Sequence, residues 1–212
     1  MKVALIGGTG TFGRGMALRL AASNDVLIGS RDATKAMNRA LELSRLSNHT
    51  IAGDSNAVVA GQCDAAILAV PETLDPGFLE EIARPLVGKL VISPIVPIGV
   101  IHGRFVHALA QGSAVETVAS VLAESRVAAA LHTLPAATLA DGARRIDFDV
   151  LVCANSQEVY NECAKVIASM DGVRPLYVGT LSDARGIESL TPLILNVAKL
   201  NHLKNLSIKF VT

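Results

Sequence analysis

The chain has 212 residues, half of them apolar, and its 19 Lys plus Arg balance 19 Asp plus Glu, so the formal charge is zero. A chain of that size can close one large α/β core without metals or disulfides. Balanced charge gives no overall field for nucleic acid or an anionic membrane, and any anionic ligand must be held locally.

Five Phe, two Tyr and no Trp argue against base-stacking platforms and aromatic-lined sugar clefts. Cys63, Cys153 and Cys163 have no metal-ligand spacing, and an odd number makes a poor disulfide framework, so a reduced, cytoplasmic setting is expected. The apolar run that opens the chain stops at Gly7-Gly8, too short for a signal-peptide core. The longest apolar stretch, residues 90–101, is broken by Ser93, Pro94 and Pro97 and falls short of the roughly 20 residues of a spanning helix. Neither a membrane nor a nucleic acid is expected as a partner.

In chain order, the first strand is expected over Lys2–Ile6 and the first helix over residues 11–22, joined by Gly8-Thr9-Gly10-Thr11-Phe12-Gly13. A G-x-G-x-x-G between a strand and a helix lets a pyrophosphate approach bare N–H groups at a helix N-terminus, with Gly13 allowing close helix–strand packing. The second strand, residues 25–29, runs into Ser30-Arg31. An acidic residue there would bind the ribose 2′-hydroxyl of NAD; a hydroxyl followed by a guanidinium suits the 2′-phosphate of NADP. Lys35, on the helix Ala33–Ser47, adds a second positive charge on the same face, and Asp32 is read as that helix's cap. The cofactor expected from these residues is NADP(H).

A strand over residues 65–70 ends at Val70-Pro71, beside the point where strand order reverses, so both should flank the nicotinamide ribose. Further strands are expected at Leu90–Ser93, 127–131, 150–154 and 175–178, and helices at 113–124 and 156–170. Residues 93–112 lack periodicity and read as a long, functional loop, in which His102 and His107 are expected to be solvated, the alternative being contact with substrate phosphate or carboxylates. The strands are near-continuous apolar runs, as when both sheet faces are covered. The fold class is therefore α/β, a Rossmann-type doubly wound, mostly parallel sheet with a small C-terminal helical segment.

The division expected is a dinucleotide-binding domain over 1–180 and a C-terminal helix and tail over 181–212. The last helix is expected at 188–203, with Thr191-Pro192 producing a kink or a fresh start, and 206–211 as an extended tail. Leu193, Leu195, Val197 and Leu200 form an apolar face suited to core or a dimer interface. His132 closes a strand at the ligand edge, where its imidazole could bond a carboxamide or ring carbonyl; the alternative is a bond to backbone in the turn to Pro135.

Several segments together resemble one family: Gly7-Gly8-Thr9-Gly10 with Ser30-Arg31, then Ser93-Pro94-Ile95-Val96-Pro97, then Ala130-Leu131-His132-Thr133-Leu134-Pro135-Ala136-Ala137. The most specific is Glu188-Ser189-Leu190-Thr191-Pro192-Leu193-Ile194-Leu195-Asn196 followed by Ile208-Lys209-Phe210. This is similar to the NADPH-dependent reductases of coenzyme F420, an 8-hydroxy-5-deazaflavin. The resemblance spans essentially the whole chain and implies hydride transfer between NADP(H) and that deazaflavin.

It also implies NADP contacts from Thr9, Gly10, Thr11 and Phe12, from Ser30, Arg31 and Lys35 around the 2′-phosphate, and from Ala136. Leu206 would line the deazaflavin pocket, Glu72 would face the nicotinamide, and the chain would form a homodimer. At position 72 the family pattern has an aromatic residue, and the 99–112 loop is only loosely similar. Those departures leave open another acceptor, such as a flavin, pterin or imine, or a non-catalytic NADP(H) sensor. No general acid, base or nucleophile motif stands out, as suits chemistry that belongs to two cofactors.

Overall fold

The computed structural model describes residues 1–70 and 76–211. In chain order the elements are β1 Lys2–Ile6, α1 Thr11–Leu20, β2 Asp25–Ser30, α2 Ala33–Ser47, β3 Ile51–Ser55, α3 Asn56–Gln62, β4 Ala65–Leu68 and α4 Pro76–Ala83. Then come β5 Leu90–Ser93, β6 Ile98–Ile101, β7 Arg104–His107, α5 Ala114–Val121, β8 Arg126–Ala129, α6 Ala136–Ala140, β9 Phe148–Ala154, α7 Gln157–Ala168, β10 Val173–Gly179 and α8 Ala184–Leu200.

Eight strands form one sheet in the order β10-β9-β8-β5-β4-β1-β2-β3. Every neighbouring pair is parallel except β8 with β9. The order reverses between β1 and β4, which is where a doubly wound sheet opens a crevice at the C-terminal ends of its strands. β1 supplies both cores: Val3 and Leu5 face one apolar cluster with Met16, Leu20 and Leu43, while Ala4 and Ile6 face a second with Leu79, Ile82 and Val118. A fully buried aliphatic side chain contributes roughly 1.5–3 kcal/mol, so a strand that feeds both layers has no polar face to spare. That accounts for the unbroken apolar runs in the sequence.

Three local expectations are corrected. Residues 93–112 are not one aperiodic loop: they contain the antiparallel hairpin β6–β7, with Ile98 opposite His107 and Ile101 opposite Arg104. Its turn residues, His102 and Gly103, take φ of +47° and +75°, the left-handed pair that two-residue hairpins favour. His107 is not solvated: its Nε2 lies 2.8 Å from Oε2 of Glu188 in α8, with both side chains buried. The same carboxyl group accepts the Ala114 and Val115 N–H groups at 3.0 and 3.1 Å, so the hairpin, α5 and α8 meet on one buried side chain. Finally, α8 begins four residues earlier than expected, ends at Leu200 and passes through Pro192 without restarting.

The segment after α8 has no regular structure. Its backbone joins the sheet at Ile208, whose carbonyl accepts the Asp149 N–H at 3.0 Å. Asp149 is fully buried, and the hydrogen-bonded Arg174 guanidinium, then the Phe210 N–H, hold its carboxyl well below the usual carboxylate range. A depressed folded-state value stabilises the fold above about pH 4, where the unfolded carboxylate is already ionised, and that contribution fades as pH falls toward the folded value. Denaturant midpoints are therefore expected to drop as pH falls below about 4, and Asp149→Asn is expected to flatten that drop. An equally steep profile in the variant would assign the acid sensitivity to other groups.

Candidate dinucleotide and acceptor sites

The turn after β1 is built to expose backbone. Gly7 takes φ of +74°, and its N–H donates to Oδ1 of Asn56 at 3.0 Å. The Gly8 N–H is shared by the carbonyls of Leu5 and Gly29, at 3.0 and 2.9 Å. Gly8 is thus a packing glycine with its amide already used; a Cβ there would lie 2.7 Å from Leu5 Cβ. A Cβ on Gly13 would lie 2.2 Å from the Gly8 carbonyl oxygen, so Gly13 lets α1 close onto its own loop. The N-cap of α1, Gly10, has no side chain to satisfy the helix N-terminus, and a Cβ there would meet nothing within 4 Å. The first intrahelical bond runs from the Arg14 N–H to the Gly10 carbonyl at 2.9 Å, which leaves the N–H groups of Thr11, Phe12 and Gly13 for a ligand.

A cleft of 710 Å³ opens over those groups, lined by Thr9, Gly10, Thr11, Phe12 and Gly13, by Ser30, Arg31 and Lys35, and by Asn56 and Val70. Arg31 and Lys35 are exposed, and neither cationic head has an ion-pair partner among the described residues. Asp32 is turned away as the α2 cap, its carboxylate accepting the Lys35 N–H at 3.1 Å. Ser30 Oγ accepts the Asp32 N–H at 3.2 Å, fixing the bend that presents Arg31. Two free cations opposite a free helix N-terminus fit a ligand with anions at both places, as a pyrophosphate and a 2′-phosphate would be.

Residues 2–97 match the family model for NADP oxidoreductase, coenzyme F420-dependent. An F420-dependent NADP reductase of Methanothermobacter marburgensis is 36% identical over 219 residues, 99% of this chain and 97% of that one. The chain belongs to the F420-dependent NADP reductase family. The corresponding reductase of Methanocaldococcus jannaschii is 35% identical over 205 residues, covering 93% of this chain and 92% of its own. A crystal structure of a candidate F420-dependent NADP reductase from Arthrobacter sp. FB24 superposes with a TM-score of 0.83 over 100% of both chains, at 27% identity.

Sequence reading of this family member missed Asn56. It is buried, opens α3 and bonds Gly7, yet lines the cleft. Its signal was hidden because β3 and α3 were not read as elements. Val70 lines the cleft, and a Cβ on Gly7 would lie 2.8 Å from its Cγ1. Pro71 and Glu72 lie outside the described residues. Ala136 does not line the first cleft. It opens α6 and borders a second cavity of 350 Å³ with His132, Thr191, Ile194 and Leu206.

His132 follows β8 at the same sheet edge. Leu131 takes φ of +73°, a left-handed conformation that costs roughly 1–2 kcal/mol for such a residue, and the backbone is pinned where the His132 carbonyl accepts the Thr191 hydroxyl at 2.9 Å. The imidazole makes no backbone bond in its turn: Nε2 is buried and has no partner. Burial pushes its pKa down to about 3, so the ring is neutral. A neutral imidazole carries one N–H and one lone pair, either of which can address a ring carbonyl or amide.

The acceptor KM should therefore show no imidazole titration between about pH 5.5 and 7.5. A bend near pH 6.5 that disappears in His132→Asn would contradict the neutral ring. The three cysteines are buried and free, and burial pushes the Cys163 thiol up to about 12 and Cys153 up to about 11, which removes them as nucleophiles.

Proposed function

We propose that this chain transfers a hydride between NADP(H) and the 8-hydroxy-5-deazaflavin coenzyme F420. The observation that carries the reading is the unpaired Arg31 and Lys35 beside the open N-terminus of α1, in a chain aligned to F420-dependent NADP reductases over 99% of its length. When bound, the nicotinamide supplies hydride from C4 and the deazaflavin accepts it at C5.

The protein's part is placement. The Thr11, Phe12 and Gly13 N–H groups hold the pyrophosphate, and Ser30, Arg31 and Lys35 hold the 2′-phosphate. Val70, with Pro71 and Glu72 following it in sequence, directs the nicotinamide end toward Ala136 and His132. Segment 181–212 forms the far wall of the acceptor cavity through Thr191, Ile194 and Leu206. His132 orients a polar edge of one ring and transfers no proton. Holding two reactants at contact converts a bimolecular encounter into a unimolecular step; the proton that completes the reduced deazaflavin at N1 comes from solvent, so no protein acid or base is required.

Apolar side chains left exposed on α8 and the hairpin, among them Leu193, Val197, Leu200, Val100 and Ile101, support a homodimer formed through this face. Among the described residues no helix is long and apolar enough to cross a membrane.

Mixing the protein with NADPH and oxidised F420 is expected to bleach the deazaflavin's visible absorbance. Faster turnover of a flavin, pterin or imine from an acceptor panel would reassign the acceptor. Tight NADPH binding with no turnover of any acceptor would favour a sensor. Sedimentation is expected to give a dimer that Leu200→Glu splits; a monomeric wild type would remove the dimer from the reading.

A further inference from the structure

The cavity beside His132 has one wall made by a segment without regular structure. Beyond Leu200 the chain turns at Leu203, whose N–H donates to the Ala198 carbonyl at 2.9 Å, and passes through left-handed backbone at His202 and Asn205, with φ of +54° and +56°. Asn205 and Leu206 then border the cavity. No ladder of backbone bonds fixes this strap; its polar attachments to the sheet gather around one side chain.

That side chain is Asp149, in β9. Oδ1 accepts Arg174 Nε at 2.7 Å, and Oδ2 accepts Arg174 Nη2 at 2.7 Å and the Phe210 N–H at 2.6 Å. Arg174 Nη2 also donates to the Phe210 carbonyl at 2.9 Å, so one guanidinium bridges carboxylate and strap. Lys209 Nζ stands 3.6 Å from Asp149 Oδ1 and bonds Asp147. The Asp149 N–H is given to the Ile208 carbonyl at 3.0 Å. Two carboxylates thus face two cations, and the buried carboxylate is fully bonded, which is the condition for burying one at all.

Position gives this cluster its consequence. β9 runs antiparallel to β8, so its first residues lie at the sheet edge from which β8 runs into His132. Leu206 is two residues from the anchored Ile208, about 7 Å of extended chain, too short a lever to wander while Ile208 and Phe210 are held. Apolar contact alone would hold the strap without fixing its register, whereas a bidentate fork does both.

We propose that the Asp149–Arg174 pair is a clasp whose role is to position the strap, and through it Leu206, as a wall of the acceptor cavity. Both are positioning residues for the acceptor half-site, and the inference rests on the reading of that cavity given under Proposed function. The dinucleotide cleft, which draws no residue from the strap, is independent of the clasp.

The test uses full-length Asp149→Asn, Arg174→Gln and Arg174→Lys, with steady-state kinetics for each substrate and amide exchange over residues 204–211. Arg174 has a side chain 46% exposed, so its variants keep the question open to test should Asp149→Asn fold poorly. Asp149→Asn and Arg174→Gln are expected to expose the strap amides and to raise the KM for F420 about tenfold, with the NADPH dissociation constant within about twofold of wild type. Arg174→Lys restores the charge and should recover part of the loss. Strap amides that stay protected in Arg174→Gln overturn the clasp, as does a freed strap with an unchanged F420 KM, or a parallel loss of NADPH affinity. Wild-type protein that binds NADPH but never reduces F420 refutes instead the cavity reading and the acceptor role built on it, while the exchange data still report on the clasp.

Discussion

Arg31→Ala lowers NADPH affinity by roughly ten- to a hundredfold and leaves NADH affinity nearly unchanged. The size follows from a hydrogen bond to a charged group, about 1.5–3 kcal/mol, and the selectivity from the only difference between the two dinucleotides, the 2′-phosphate. The side chain is exposed, caps nothing and has no ion-pair partner among the described residues, so the fold should not register its loss. Lys35→Ala acts in the same direction but more weakly, because an ammonium binds as a point charge where a guanidinium can use a fork. Calorimetric titration with both reduced dinucleotides decides the matter, and equal weakening of the two would place Arg31 away from the 2′-phosphate.

Gly10→Val abolishes dinucleotide binding in a protein that still folds. Gly10 has φ −82° and ψ −176°, extended backbone open to any residue, and its Cβ would enter free space. As an N-cap, valine costs on the order of 1 kcal/mol against glycine. The added side chain occupies the approach to the Thr11, Phe12 and Gly13 N–H groups, and losing two charge-assisted bonds of about 1.5–3 kcal/mol each lowers affinity about a hundredfold or more. Gly13→Ala makes the contrast, since its Cβ collides with the Gly8 carbonyl and disturbs the loop itself. Thermal melts separate the two: Gly10→Val should melt near wild type without the stabilisation that NADPH gives wild type, and Gly13→Ala should melt lower even without ligand. A Gly10→Val protein that NADPH stabilises as it does wild type would remove the pyrophosphate from this helix.

How far the sequence could be read depended on whether a feature was locally encoded. β1, the glycine loop and Ser30-Arg31 were legible because a parallel strand buried on both faces writes an apolar run and a phosphate loop writes glycines. The edge strand β3 was not, since Ile-Ala-Gly-Asp-Ser buries little and reads as a turn; with it went α3 and Asn56. The hairpin β6–β7 did leave a signal, His102-Gly103 between aliphatic runs, that the surrounding prolines masked. His107 and Glu188 are 81 residues apart, and Asp149 meets Phe210 across 61. No periodicity foretells such a pairing, which only the assembled sheet creates. Pro175 was correctly tolerated in a strand because β10 is an edge. Ala136, which the resemblance assigns to the dinucleotide, borders the cavity beside His132 and Leu206 rather than the glycine-loop cleft, a placement only the assembled fold could give.

The most direct test of transfer between the two rings is isotopic. NADPH carrying deuterium at both C4 positions is supplied with oxidised F420 in ordinary water, and the reduced deazaflavin is weighed by mass spectrometry. Deuterium retained in the reduced deazaflavin is the expected result, since the label passes between rings held in contact and the protein carries no proton for it. Reduced deazaflavin free of label, or label recovered only in solvent, would contradict direct transfer between the two rings.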